Sequence, residues 1–102
     1  KFTFAVWLTD YTDPDAVNRR KAARPKHLDR LKSSAENGTV KVGAVMVTPE
    51  TVAEGPTGNP TMNGSVLIVV ASSVEEVQKM LENDPYWDGN VWDKEKVDIR
   101  PI

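Results

Sequence analysis

The spacing of hydrophobic positions changes along the chain, and the changes mark out its elements. Phe2-Thr3-Phe4-Ala5-Val6-Trp7-Leu8-Thr9 is rich in aromatic and branched residues and predicts a strand, which Asp10-Tyr11-Thr12-Asp13-Pro14-Asp15 stops. Apolar positions then recur at helical spacing at Ala16, Val17, Ala23, Leu28, Leu31 and Ala35, in a helix that Asp13 or Asp15 would cap and Pro14 would help to start. Pro25 lies inside this pattern, and the backbone hydrogen bond it removes predicts a kink or a break there. Asn37-Gly38 supplies a left-handed stop. Val40 to Val47 returns to strand composition, with Gly43 marking a bulge or the close approach of another group.

Pro49 to Asn63 is rich in glycine, proline and polar residues and reads as an unstructured loop, long enough to act as a lid bordering a pocket. Gly64 to Ala71 is the clearest strand in the chain. Ser73-Val74-Glu75-Glu76 is a capping box opening a helix with Val74, Val77, Met80 and Leu81 on one face, and Asn83-Asp84-Pro85-Tyr86 ends it. Asp88-Gly89 turns the chain into a last strand, Val91 to Ile99. Asn37-Gly38-Thr39 and Asn63-Gly64-Ser65 match a glycosylation sequon but read more simply as turns.

The order strand, helix, strand, strand, helix, strand predicts an α+β, ferredoxin-like βαββαβ fold: an antiparallel sheet with two helices on one face, built as one domain over residues 1–102. Val66 to Val70 is apolar without alternation, which implies that both faces of the sheet are covered. Two helices cover only one face. A second copy packed sheet to sheet is the simplest cover for the other, so a homodimer is expected.

Charge and composition narrow the partners. Thirteen Lys and Arg against fifteen Asp and Glu give a formal net charge of −2, which provides no global reason to bind nucleic acid or an anionic membrane. No apolar run approaches the ~18 residues of a membrane span. The absence of cysteine excludes disulfides and thiolate chemistry and fits a reducing compartment, so a cytoplasmic location is expected. The chain begins at Lys1 and not at Met, which leaves open what precedes it.

Candidate chemistry gathers around the single histidine, in Arg24-Pro25-Lys26-His27-Leu28-Asp29-Arg30-Leu31. Histidine exchanges protons near neutral pH, and cations precede it. Two readings stand: an acid-base group, or a solvated or core-edge side chain. Arg20, Arg24 and His27 share one helix face, where guanidinium groups could hold a phenolate, enolate or carboxylate; a solvated basic surface is the alternative. Ser65, at the mouth of the third strand, could donate a hydrogen bond to a ligand but has no nucleophile-elbow context. Tyr11 and Tyr86, with Trp7, Trp87 and Trp92, are candidate pocket walls or core residues. One histidine and no cysteine make a metal site unexpected, and no cofactor is expected.

The Arg-Pro-x-His-Leu-x-x-Leu stretch, the glycine-rich link to Gly64-Ser65, and Asn83-Asp84-Pro85-Tyr86 through Gly89-Asn90-Val91-Trp92 together resemble the YCII-related (YciI-like) family of the dimeric α+β barrel superfamily. The resemblance spans nearly the whole chain, which departs from compact members in the loop from Pro49 to Asn63. It implies a ferredoxin-like subunit, a dimer, and a His-Asp site carried here onto His27 and Asp84. Members similar to a dehydrochlorinase of chlorinated hydroxyhydroquinone imply cofactor-free, proton-transfer elimination or isomerisation on a small cyclic or phenolic substrate. Asp84 otherwise reads as a helix-end turn residue. A non-catalytic small-molecule-binding dimer and a haem-dependent oxygenase on the same fold are the alternative functions.

Overall fold

A computed structural model describes all 102 residues. The elements run β1 (Phe2–Thr9), α1 (Ala16–Glu36), β2 (Val40–Val47), α2 (Pro49–Glu54), β3 (Met62–Ala71), α3 (Val74–Glu82), α4 (Pro85–Asp88) and β4 (Asp98–Pro101). The strands form one sheet in the order β2-β3-β1-β4, with every neighbouring pair antiparallel. This is the ferredoxin-like α+β arrangement expected from the order of elements.

Alternation fixes which face meets the helices. Phe4 and Val6 of β1 pair with Val69 and Leu67 of β3, and together with Leu8 and Ala71 they are buried with Val77 and Leu81 of α3. α1 packs on the same face through Ala23 and Leu31. A Cβ at Gly43 would come within 3.0 Å of the Leu31 side chain, so the glycine marks the close approach of α1 to β2. On the opposite face, Trp7, Val42, Ala44, Val66 and Ile68 form an apolar patch with no element over it; Trp7 is 53% exposed.

Several local expectations are corrected. Of the kink or break expected at Pro25, the break does not occur: α1 runs on through it. Pro25 and Lys21, whose carbonyl loses its partner, are both exposed, so water can satisfy that carbonyl while burial of Arg20 and His27 holds the helix on either side. Asp15 takes the N-cap position of α1 as expected, but its side chain makes no capping hydrogen bond: it accepts from Asn18, while Asp13 is taken by Arg19. The stretch after Val47 is not wholly irregular, because Thr48 caps α2 by accepting from the Thr51 amide with Pro49 in the first turn. Asn63-Gly64-Ser65 is strand and not turn. The last strand is shorter and later than Val91 to Ile99: Pro85 opens the one-turn α4, Trp92 makes a single bridge to Asp10, and pairing with β1 starts at Asp98.

Candidate active site

At one end of the core, a group of polar side chains is buried between α1, β3 and α4. α1 supplies Arg20, Arg24 and His27 from one face, as helical spacing requires. α3 ends at Glu82, and Pro85 restarts a helical turn, so Asp84 becomes the N-cap of α4. Its Oδ1 accepts from the Tyr86 amide at 2.8 Å. The same carboxylate receives the His27 ring: Nδ1 lies 2.8 Å from Oδ1 and 3.0 Å from Oδ2. The turn reading and the paired reading of Asp84 therefore hold together, since one carboxylate serves both.

A carboxylate acceptor at Nδ1 places the proton of a neutral imidazole there and leaves the lone pair on Nε2. Nε2 has no protein partner and is not sealed from solvent. The ring is fixed from the sides as well, stacked on Tyr86 with centroids 3.8 Å apart and set edge-on to Trp92 at 5.9 Å.

His27 faces a cavity of about 130 Å³ that it lines with Arg20, Arg24, Ser65 and Tyr86, while Leu28, Leu31, Val45 and Leu67 supply apolar wall. Cavities near ~150 Å³ take up a benzene ring, so the space matches one small ring. Burial pushes the Tyr86 phenol above its ordinary range, with Arg20 and Arg24 pulling weakly the other way, and the hydroxyl stays protonated. Arg24, half-buried at the mouth, forms no ion pair in the fold.

Arg20 has a different setting from Arg24. It is 2% exposed, its Nη1 donates to both oxygens of Asp10 at 2.9 and 2.8 Å, and its Nη2 donates to the Gly64 carbonyl and to Ser65 Oγ at 3.1 and 3.2 Å. Trp92 Nε1 also donates to Ser65 Oγ, at 3.1 Å. A Cβ at Gly64 would fall 2.5 Å from the Leu8 carbonyl, so only glycine lets β3 run this close to β1 beside the serine.

The other sequence candidates separate. Tyr11 lines another depression with Thr12, Asp13 and Val17, where its hydroxyl faces the Lys94 amide, and it is not part of the His27 cavity. The loop before β3 does not line that cavity either. Only Met62 and residues 59–61 approach α1, along a groove outside it beside Lys21 and Arg24. Sequence reasoning missed Asp10, which reads only as the stop after β1; a carboxylate ten residues before an arginine carries no local signal. No group of three carboxylate or imidazole side chains converges anywhere in the fold to suggest a metal site.

The YCII-related domain model matches residues 4–101. The chain is 33% identical over 81 residues to the derivative of benzaldehyde biosynthesis cluster protein C of Emericella nidulans, covering 78% of this chain and 81% of that protein. Among solved structures, it superposes on the 5-chloro-2-hydroxyhydroquinone dehydrochlorinase of Burkholderia phenoliruptrix, in complex with 2,5-dihydroxybenzoquinone. That match has a TM-score of 0.75 at 24% identity and covers 96% of this chain and 90% of that one.

Proposed function

The chain belongs to the YCII-related family, and from that premise we propose that it is a cofactor-independent lyase or isomerase moving a proton on a small, oxygen-bearing ring compound. The observation that carries the reading is the His27 ring, held by Asp84 through Nδ1 and presenting an unpartnered Nε2 to a cavity the size of one ring. Nε2 takes a proton from a ring carbon or hydroxyl, and the released electron pair moves onto the ring oxygen as an enolate or phenolate. The enolate either expels a leaving group, completing an elimination, or regains the proton from the imidazolium at another carbon, completing an isomerisation. Asp84 stabilises the imidazolium, and Arg24 at the mouth holds the anion. The dehydrochlorinase that shares the fold is named for an elimination on such a ring.

Replacing His27 by Gln should lower turnover of a chlorinated or hydroxylated quinol by ~10²-fold or more with the fold intact by circular dichroism. Asp84→Asn acts through the same unit, so the double variant should be scarcely worse than the worse single one. Full activity in His27→Gln would remove the imidazole from the chemistry and overturn the general-base reading.

The reading includes a cytoplasmic homodimer formed through the bare face of the sheet, where an apolar patch that includes Trp7, Val42 and Ile68 is left open. Light scattering should give twice the chain mass at micromolar concentration, and Trp7→Asp should give a monomer. A monomeric wild type at that concentration removes the dimer.

A further inference from the structure

The hydrogen-bond inventory around Ser65 is lopsided. A serine hydroxyl has one proton to give and two lone pairs to receive with. Both lone pairs are taken, by Arg20 Nη2–H at 3.2 Å and Trp92 Nε1–H at 3.1 Å, and neither donor can accept in return. No carbonyl or carboxylate of the fold accepts the Ser65 proton, although the residue is 3% exposed. What remains open to that proton is the cavity that Ser65 lines. Tyr86 repeats the pattern, with a hydroxyl that burial keeps protonated, no acceptor in the protein, and a place in the same wall. Against these donors stands the lone pair of His27 Nε2.

We infer that Asp10 and Arg20 are positioning residues that commit the Ser65 proton to the cavity, so that the ligand is a ring carrying an acceptor oxygen, a phenolate, enolate or quinone carbonyl, at that hydroxyl. Asp10 does not line this cavity. It grips Arg20 through both carboxylate oxygens, and that grip leaves Nη2 directed at the Gly64 carbonyl and Ser65 Oγ. A hydroxyl that accepts from a guanidinium is polarised by it and becomes a stronger donor, suited to an oxygen gaining negative charge. This rests on the reading of the cavity as the substrate site, and it adds where the substrate's oxygen sits and which remote residue determines that.

The probe is 4-nitrophenol, whose phenolate absorbs in the visible. Bound to the wild type, it should ionise at lower pH than in water. Ser65→Ala should weaken binding by ~10-fold or more, the scale of a lost hydrogen bond to a charged group, and return the ionisation towards its value in water. Ser65→Thr, which keeps the hydroxyl, should restore both. Asp10→Asn and Asp10→Glu should each raise the pH at which the bound probe ionises, by loosening or displacing the guanidinium, an effect that a purely structural role would not produce. The Glu variant serves where Asn does not fold. His27→Gln should keep the Ser65-dependent ionisation while losing turnover, which separates this inference from the catalytic reading. Failure of the wild type to bind the probe, or equal ionisation in wild type and Ser65→Ala, overturns the inference. An unchanged bound-probe ionisation in folded Asp10 variants removes the positioning role.

Discussion

Arg19 and Arg20 are neighbours on α1, and each holds an aspartate from the segment just before the helix. By geometry the Arg19 pair is the better one, with two separate nitrogens on the two Asp13 oxygens at 2.7 Å each. Arg20 reaches both Asp10 oxygens from a single nitrogen at 2.9 and 2.8 Å. Their settings reverse the ranking: side-chain exposure is 27% and 45% for Arg19 and Asp13, but 2% and 6% for Arg20 and Asp10. Water and salt screen an exposed pair, whereas a buried charge that loses its partner has no solvent to replace it. Distance alone thus says little about which pair the fold depends on.

Arg20→Met should give the largest effect. It leaves the Asp10 carboxylate buried alone and strips donors from Ser65 and the Gly64 carbonyl, and breaking a buried pair costs about 3–5 kcal/mol. Urea denaturation should show that loss, with Arg19→Met close to wild type. Similar midpoints for the two variants would break the comparison. Combining Arg20→Met with Asp10→Leu should recover part of the loss, because the stranded charge goes too.

Lysine sharpens the contrast. In place of Arg20 it keeps the charge but has three N–H donors on one nitrogen for four acceptor atoms, both Asp10 oxygens, the Gly64 carbonyl and Ser65 Oγ, so at least one buried acceptor loses this donor, at about 1–3 kcal/mol. Arg19→Lys should leave the urea midpoint where it is. Added salt should change neither result at Arg20, where solvent has no access. A salt-sensitive Arg20→Lys effect would mean the pair is wetter than its burial indicates.

This difference explains which parts of the fold could be read from the sequence. The sheet and its two long helices follow from periodicity, and the Ser73 capping box sits where it was expected, with Ser73 accepting from the Glu76 amide. His27 and Asp84 came into view through a family resemblance and a residue type, and they meet at 2.8 Å across 57 positions of sequence. Asp10 stayed hidden because its meaning depends on burial and a distant partner. A helix wheel puts Arg20 beside Arg24 and so makes it a candidate for a ligand, but nothing on the wheel tells an arginine at the mouth from one enclosed by Asp10, Gly64 and Ser65. The departures at α2 and α4 share a cause: each is a short turn opened by proline after a capping residue, Thr48 or Asp84, and so short a helix shows no hydrophobic period.

The smallest expected effect is a pair of opposite pH slopes. Arg19 holds the Asp13 carboxyl down at about 2, below the ordinary 3.8, so its folded form releases the proton more readily than its unfolded form. The contribution of Asp13 is complete above the unfolded value and is lost as pH falls from 3.8 through about 2. Burial raises the Asp10 carboxyl, with Arg20 opposing, so the sign reverses. Its contribution is greatest below 3.8 and declines as pH rises through the folded value. Measured against the non-titrating Asp13→Asn, the stability of the wild type should therefore fall in acid. Measured against Asp10→Asn, it should rise as pH falls towards 3.8, from an offset set by the broken pair. Urea midpoints taken at intervals across the acid range check both slopes. If the two slopes have the same sign, Arg20 outweighs burial at Asp10, and the two aspartates differ in the size of their response and not in its direction.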